Sequence, residues 1–202
     1  MPFEPASQIP DFRGVICAPW PNRLADGRYL WNGKEIQATI NEPDRQTALH
    51  GLVFERTWKA TQRGQTAVTL ETSISGENGY PFALDLRVIY SLGEQGLVGT
   101  VTARNPGATP IPYGVCPHPY LVAGPSPLND WTVVIPADRF LNVTPDRLLP
   151  TDDVPVDEHD FDFRQEKNLE HRKSTTPSPA SSGTVTGRQE SPHSTHPGPV
   201  SS

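Results

Sequence analysis

With 202 residues the chain has the length of one ordinary domain, and a net charge of −6 without a basic cluster gives no electrostatic footprint for nucleic acid or an anionic membrane. An apolar fraction of 35% together with 23 prolines points to a turn-rich β fold, a folded part diluted by disorder, or both. No apolar run approaches a membrane span, and Met-Pro-Phe-Glu-Pro-Ala-Ser-Gln at the start has neither the charge nor the apolar core of an export signal. The expectation is a soluble, cytoplasmic protein with a small neutral partner.

Residues 1–14 read as an irregular, proline-studded segment. Val15-Ile16-Cys17-Ala18 then reads as a buried strand running into Pro19-Trp20-Pro21, a rigid turn that presents Asn22 and Arg23. An arginine held in this way can donate a fork of hydrogen bonds to a hydroxyl-rich ligand or a carboxylate, and it can equally serve a structural ion pair. Tyr29 to Ile36 carries Asn32-Gly33 between two strand-like arms, a strong hairpin signal. In Leu49-His50-Gly51 a histidine precedes a glycine, where the backbone can turn sharply; alone, such a histidine is more often a core or surface residue.

Four alternating, β-branched runs follow at 58–61, 67–72, 82–90 and 97–104, the last two joined through Gly93-Glu94-Gln95-Gly96. Strands at this spacing without a helix-period segment predict an all-β, antiparallel sandwich or barrel. In Pro112-Tyr113-Gly114-Val115-Cys116-Pro117-His118-Pro119-Tyr120-Leu121, each proline biases its predecessor towards extended backbone. His118 therefore has a defined direction, as a proton donor requires, although a structural histidine at a strand end fits as well. Two further strands are expected at 131–135 and 139–143.

The acid-rich stretch 151–162 lacks the spacing and the central glycine of a calcium loop and reads as a solvated loop. From 172 to 202 the composition is mostly Ser, Thr, Pro and Gly, which predicts a disordered tail; His193 and His196 in it form no credible metal site. Cys17 and Cys116 match no metal or redox spacing and are expected to be reduced thiols.

Five segments, Ala18-Pro19-Trp20-Pro21-Asn22-Arg23, Leu49-His50-Gly51, Gly79-Tyr80-Pro81-Phe82, Asn105-Pro106 and His118-Pro119-Tyr120-Leu121, stand in the order and approximate spacing of the aldose 1-epimerase (galactose mutarotase) family. Residues 15–171 thus resemble a partial β-sandwich of the galactose mutarotase-like supersandwich type, apparently truncated at both ends. The resemblance implies an isomerase that interconverts the α and β anomers of a free aldohexose, such as glucose or galactose, by acid/base ring opening, with neither metal nor organic cofactor. By matching position it makes His118 the acid at the ring oxygen, His50 its histidine partner, and Arg23 with Asn22 binders of sugar hydroxyls. Glu170 in Asn168-Leu169-Glu170-His171 stands where family members carry a sugar-binding aspartate. The family's catalytic glutamate has no recognisable counterpart, and Glu190 lacks its flanking residues, so impaired activity is expected. A non-catalytic carbohydrate-binding remnant, a hexose-6-phosphate 1-epimerase and a thiol enzyme using Cys116 beside His118 are the competing readings. No feature of the sequence indicates an oligomeric state.

Overall fold

The computed structural model describes residues 9–94, 96–157, 159–160 and 162–169. Glu170 and the tail at 172–202 lie outside them. Contacts group the chain into two compact units, Met1–Val122 and Ala123–Ser202. Among the described residues there is no α-helix, only three short 3-10 turns, and no helix is long and apolar enough to cross a membrane.

The described residues of the first unit form ten strands: β1 (Ile16–Cys17), β2 (Arg23–Ala25), β3 (Arg28–Trp31), β4 (Lys34–Gln37), β5 (Thr47–Leu49), β6 (Lys59–Arg63), β7 (Ala67–Glu77), β8 (Tyr80–Gly93), β9 (Gly96–Arg104) and β10 (Cys116–Pro117). All ladders are antiparallel: β1 with β10, β2 with β5, β3 with β4, and the meander β6-β7-β8-β9. The β3–β4 hairpin turns at Asn32 and Gly33, both left-handed at φ 49° and 74°, the backbone pair that Asn-Gly adopts at least cost.

The meander is longer than the sequence pattern indicates. β7 and β8 continue to Glu77 and Tyr80, facing each other across Asn78-Gly79. Ile74 keeps the alternation alive through a polar run, and Gly76, at φ 87°, absorbs a bulge. Pro81 is tolerated in β8 because β9 pairs no further than Asp85, so no second ladder asks for its missing N–H.

Period-two alternation sorts the sheet into two faces. Tyr80, Leu84, Leu86 and Val88 of β8 are buried and pack with Ile74 of β7 against Ile16, Ala18, Trp20, Ala48 and Val53, forming one core. On the opposite face Arg87 pairs with Glu71 and Arg104 with Asp85, charge pairs set directly across neighbouring strands. The Trp20 indole N–H donates to the Ala48 carbonyl at 3.1 Å, so its polar atom is satisfied inside the core.

The second unit contains β11 (Thr132–Val133) paired with β14 (Lys167–Asn168), and β12 (Arg139–Val143) paired with β13 (Pro150–Pro155). β13 corrects the reading of 151–162 as a solvated loop throughout. Asp152 and Asp153 are both exposed in this hairpin, where Arg139 pairs with Asp153 at 3.0 Å, and charge at an exposed position does not oppose a strand. Further along, Arg164 gathers Asp157 and Asp162, each at 2.7 Å.

Candidate active site

The β2–β5 ladder ends at Arg23 opposite Leu49, and the next two residues, Asn22 and His50, both turn into the left-handed region at φ 57° and 62°. Asparagine and histidine are among the side chains that tolerate this conformation best. They close the ladder reciprocally: the His50 N–H donates to the Asn22 carbonyl at 2.9 Å, and the Asn22 N–H donates to His50 Nδ1 at 3.3 Å. An imidazole that accepts at Nδ1 while neutral carries its proton at Nε2, so this hydrogen bond assigns the tautomer of His50.

Gly51 makes the arrangement possible. The Leu52 and Val53 N–H groups both donate to the Ala18 carbonyl, which approaches so closely that a Cβ on Gly51 would lie 2.1 Å from that oxygen. With φ at 76° as well, only glycine fits.

His118 arrives from the other ladder. Pro117 lies opposite Ile16, Cys116 opposite Cys17, and the His118 N–H donates to the Val15 carbonyl at 2.9 Å. The extended backbone that Pro117 and Pro119 impose thus continues the pairing with β1. The rings of His118 and His50 meet edge to face at 5.1 Å between centroids. Tyr120 stacks on His118 at 5.7 Å, and the Arg13 guanidinium lies 5.2 Å from the Tyr120 ring centroid. Phe12 sets its ring against His50 at 4.7 Å and against Phe54 at 5.1 Å. A cavity of about 690 Å³ shares Phe12 and Phe54 with this cluster and is otherwise lined by residues such as Asn41 and Glu55.

Burial, followed by the neighbouring His118 and Arg23, pushes the His50 imidazole down to about 4; Glu42 opposes the shift. His50 is therefore neutral near pH 7. His118 Nδ1 is buried with no hydrogen-bond partner among the described residues.

Arg23 is anchored by a residue that sequence reading passed over. Its Nε and Nη2 donate to the two carboxylate oxygens of Glu42 at 2.7 and 2.9 Å, and Nη1 donates to Asn22 Oδ1 at 3.2 Å. Glu42 also accepts from the Thr47 hydroxyl at 2.6 Å and from Arg45 at 3.2 Å. Though burial works in the opposite direction, these partners hold its carboxyl down at about 2.

His118, His50, Asn22 and Arg23, singled out from sequence, are thus brought together in one place, whereas Glu170 lies outside the described residues. A family model described as aldose 1-epimerase matches residues 3–183. The chain belongs to the aldose 1-epimerase family.

Among relatives, it is 35% identical over 170 residues to the uncharacterised protein YihR of Escherichia coli (strain K12), covering 84% of this chain and 55% of that one. It is 34% identical over 164 residues to human galactose mutarotase, covering 77% of this chain and 46% of the relative. The chain spans about half the length of the curated relatives it matches. Of solved structures, an aldose epimerase homologue from C. elegans superposes with a TM-score of 0.69 at 23% identity, over 78% of this chain and 49% of that one. A galactose 1-epimerase from Lactobacillus acidophilus NCFM gives 0.67 at 21% identity, over 81% and 50%. The antiparallel architecture is therefore the galactose mutarotase-like β-sandwich.

In this aldose 1-epimerase family member the thiols are poor nucleophiles. Burial, and then the facing Cys116, raise Cys17 to about 12; burial also raises Cys116, whose Sγ donates to the Pro117 carbonyl at 3.1 Å. The thiol-enzyme reading has no support in this geometry. Glu42 and Phe12 are the site residues that sequence reasoning missed. No local signal places a carboxylate 19 residues from its arginine; only the β2–β5 pairing does.

Proposed function

We propose that the chain binds a free aldohexose, such as glucose or galactose, at the His50–His118 pair and supplies the ring-opening half of an aldose 1-epimerase. The observation that carries this reading is the edge-to-face histidine pair in which His50 is fixed as a neutral Nε2–H donor. In the proposed step, His118 Nε2 gives a proton to the ring oxygen while His50 Nε2–H donates to the same region of the sugar. The bond between the anomeric carbon and the ring oxygen breaks as the anomeric hydroxyl loses its proton and becomes the aldehyde. Rotation about the bond between C1 and C2, followed by the reverse proton movements, closes the other anomer.

Arg23 retains two N–H groups beyond those donated to Glu42 and Asn22, directed here to sugar hydroxyls, with Asn22 fixing their orientation. Glu42 is not the base: both its oxygens are engaged by Arg23, and its carboxylate is held in its weakly basic form. In this proposal the anomeric proton leaves to solvent and, because no positioned base is found among the described residues, turnover is slower by on the order of a hundred to ten thousand fold. The hexose-6-phosphate reading is disfavoured because Arg23 is already charge-paired. Location in the cytoplasm belongs to this proposal as the compartment of free hexoses.

Polarimetry on freshly dissolved α-D-glucose and α-D-galactose tests the reading. Mutarotation faster than in buffer, abolished in a folded His118→Ala variant, supports it. Equal rates with wild type, variant and buffer refute catalysis, and sugar binding retained in that case makes the chain a carbohydrate-binding module.

A further inference from the structure

We infer that Glu42 makes the Arg23 end of this site selective for neutral sugars over anionic ones such as sugar phosphates and uronates. The inference rests on the proposal that Arg23 meets sugar hydroxyls, and it assigns a role to a residue that acts through its contact with that arginine.

An unpaired guanidinium attracts any anion and would favour a phosphorylated sugar. Arg23 is in a different state. Its fork lies against both oxygens of Glu42 at 2.7 and 2.9 Å, and the two side chains are only 15% and 16% exposed, so solvent screens the pair weakly. Glu42 cannot swing aside to make room for a competing anion. The hydroxyl of Thr47, itself fully buried, pins Oε2 at 2.6 Å, and Arg45 holds Oε1 at 3.2 Å.

Arg23 therefore offers hydrogen-bond donors whose charge is already offset by a fixed carboxylate. Donors countered by a fixed carboxylate suit hydroxyl oxygens better than an unpaired guanidinium does. A phosphate or uronate carboxylate brought to the same N–H groups would face Glu42 close behind them, and like-charge repulsion discriminates against it.

The charges in the cluster make opposite predictions for two substitutions. Glu42→Gln leaves Arg23 and Arg45 as two cations without their shared anion. Arg45→Gln removes a positive charge while leaving the Arg23–Glu42 fork in place; the Arg45 side chain is 36% exposed, so this variant perturbs the fold less.

The experiment measures dissociation constants of D-glucose and D-glucose 6-phosphate by NMR titration for the purified wild-type chain and both variants, at low and high salt. The affinity of the phosphate ester relative to glucose should rise roughly tenfold in Glu42→Gln and fall in Arg45→Gln. Both shifts should shrink with added salt. A merely structural ion pair would alter both ligands alike and leave the ratio unchanged. An unchanged ratio in folded Glu42→Gln, with glucose still bound by wild type, overturns the inference and leaves the sugar site standing. Should Glu42→Gln not fold, an unchanged ratio in Arg45→Gln overturns it. Failure of wild type to bind glucose removes both the inference and the reading beneath it.

Discussion

Acidification should weaken the first unit through His50 before any carboxylate of the site is protonated. In the folded chain this imidazole is held down at about 4, by burial first and then by His118 and Arg23, whereas an unfolded chain restores the ordinary 6.5. Between those values the unfolded state binds a proton that the folded state refuses, so stability rises with pH across the window. The contribution is fully present above pH 6.5, falls as pH drops towards 4, and is level below it. The full gap corresponds to about 3 kcal/mol, which partial exposure of the ring reduces to about 1–2 kcal/mol, with about 1 kcal/mol lost by pH 5. Glu42 does not interfere, because its carboxyl is held at about 2 and its contribution declines only below the ordinary 4.5. The assay is urea unfolding followed by tryptophan fluorescence from pH 7 to pH 5, on wild type and His50→Asn. Asparagine tolerates the left-handed backbone at position 50 and does not titrate. An equal loss of stability in wild type and variant would refute the argument.

Gly51→Ala should destabilise by about 3 kcal/mol or more, because its Cβ would meet the Ala18 carbonyl at 2.1 Å on a backbone at φ 76°. Gly33→Ala has a similar φ of 74° but nothing within 4 Å, so only the conformational cost of about 1 kcal/mol applies; chemical denaturation of the two variants should show the difference. With Cys17 fully buried and its thiol raised to about 12, an aromatic disulfide reagent at pH 8 should leave it unmodified until denaturant is added. Rapid native labelling of both thiols would contradict the packing of β1 against β10.

The sequence made the strands legible wherever local chemistry and burial agree. Asn32-Gly33 announced its hairpin, and the alternation of Phe82 to Tyr90 announced the buried face of β8. The prolines around His118 announced a histidine on extended backbone. Agreement failed where tertiary pairing decides. Asp152 and Asp153 look like loop residues until β12 is beside them, and the polar run Ser73-Ile74-Ser75 hides the far end of β7. The same limit applies to the site: His50, His118, Asn22 and Arg23 could be singled out from motifs, but Glu42 depends on a ladder that joins residues 22 to 26 apart. Phe12 meets the histidines only because β1 carries its N-terminal neighbours alongside β10.

Imidazole NMR shows whether the histidine pair is a sugar site. Long-range proton–nitrogen spectra of the chain, recorded during titration with D-galactose near pH 7, report both rings at once. His50 should appear as the neutral Nε2–H tautomer before sugar is added, and the Nε2 resonances of His50 and His118 should then move together along one saturating curve. A His50 protonated at Nδ1, or histidine resonances that stay fixed while sugar saturates the protein, would contradict the claim.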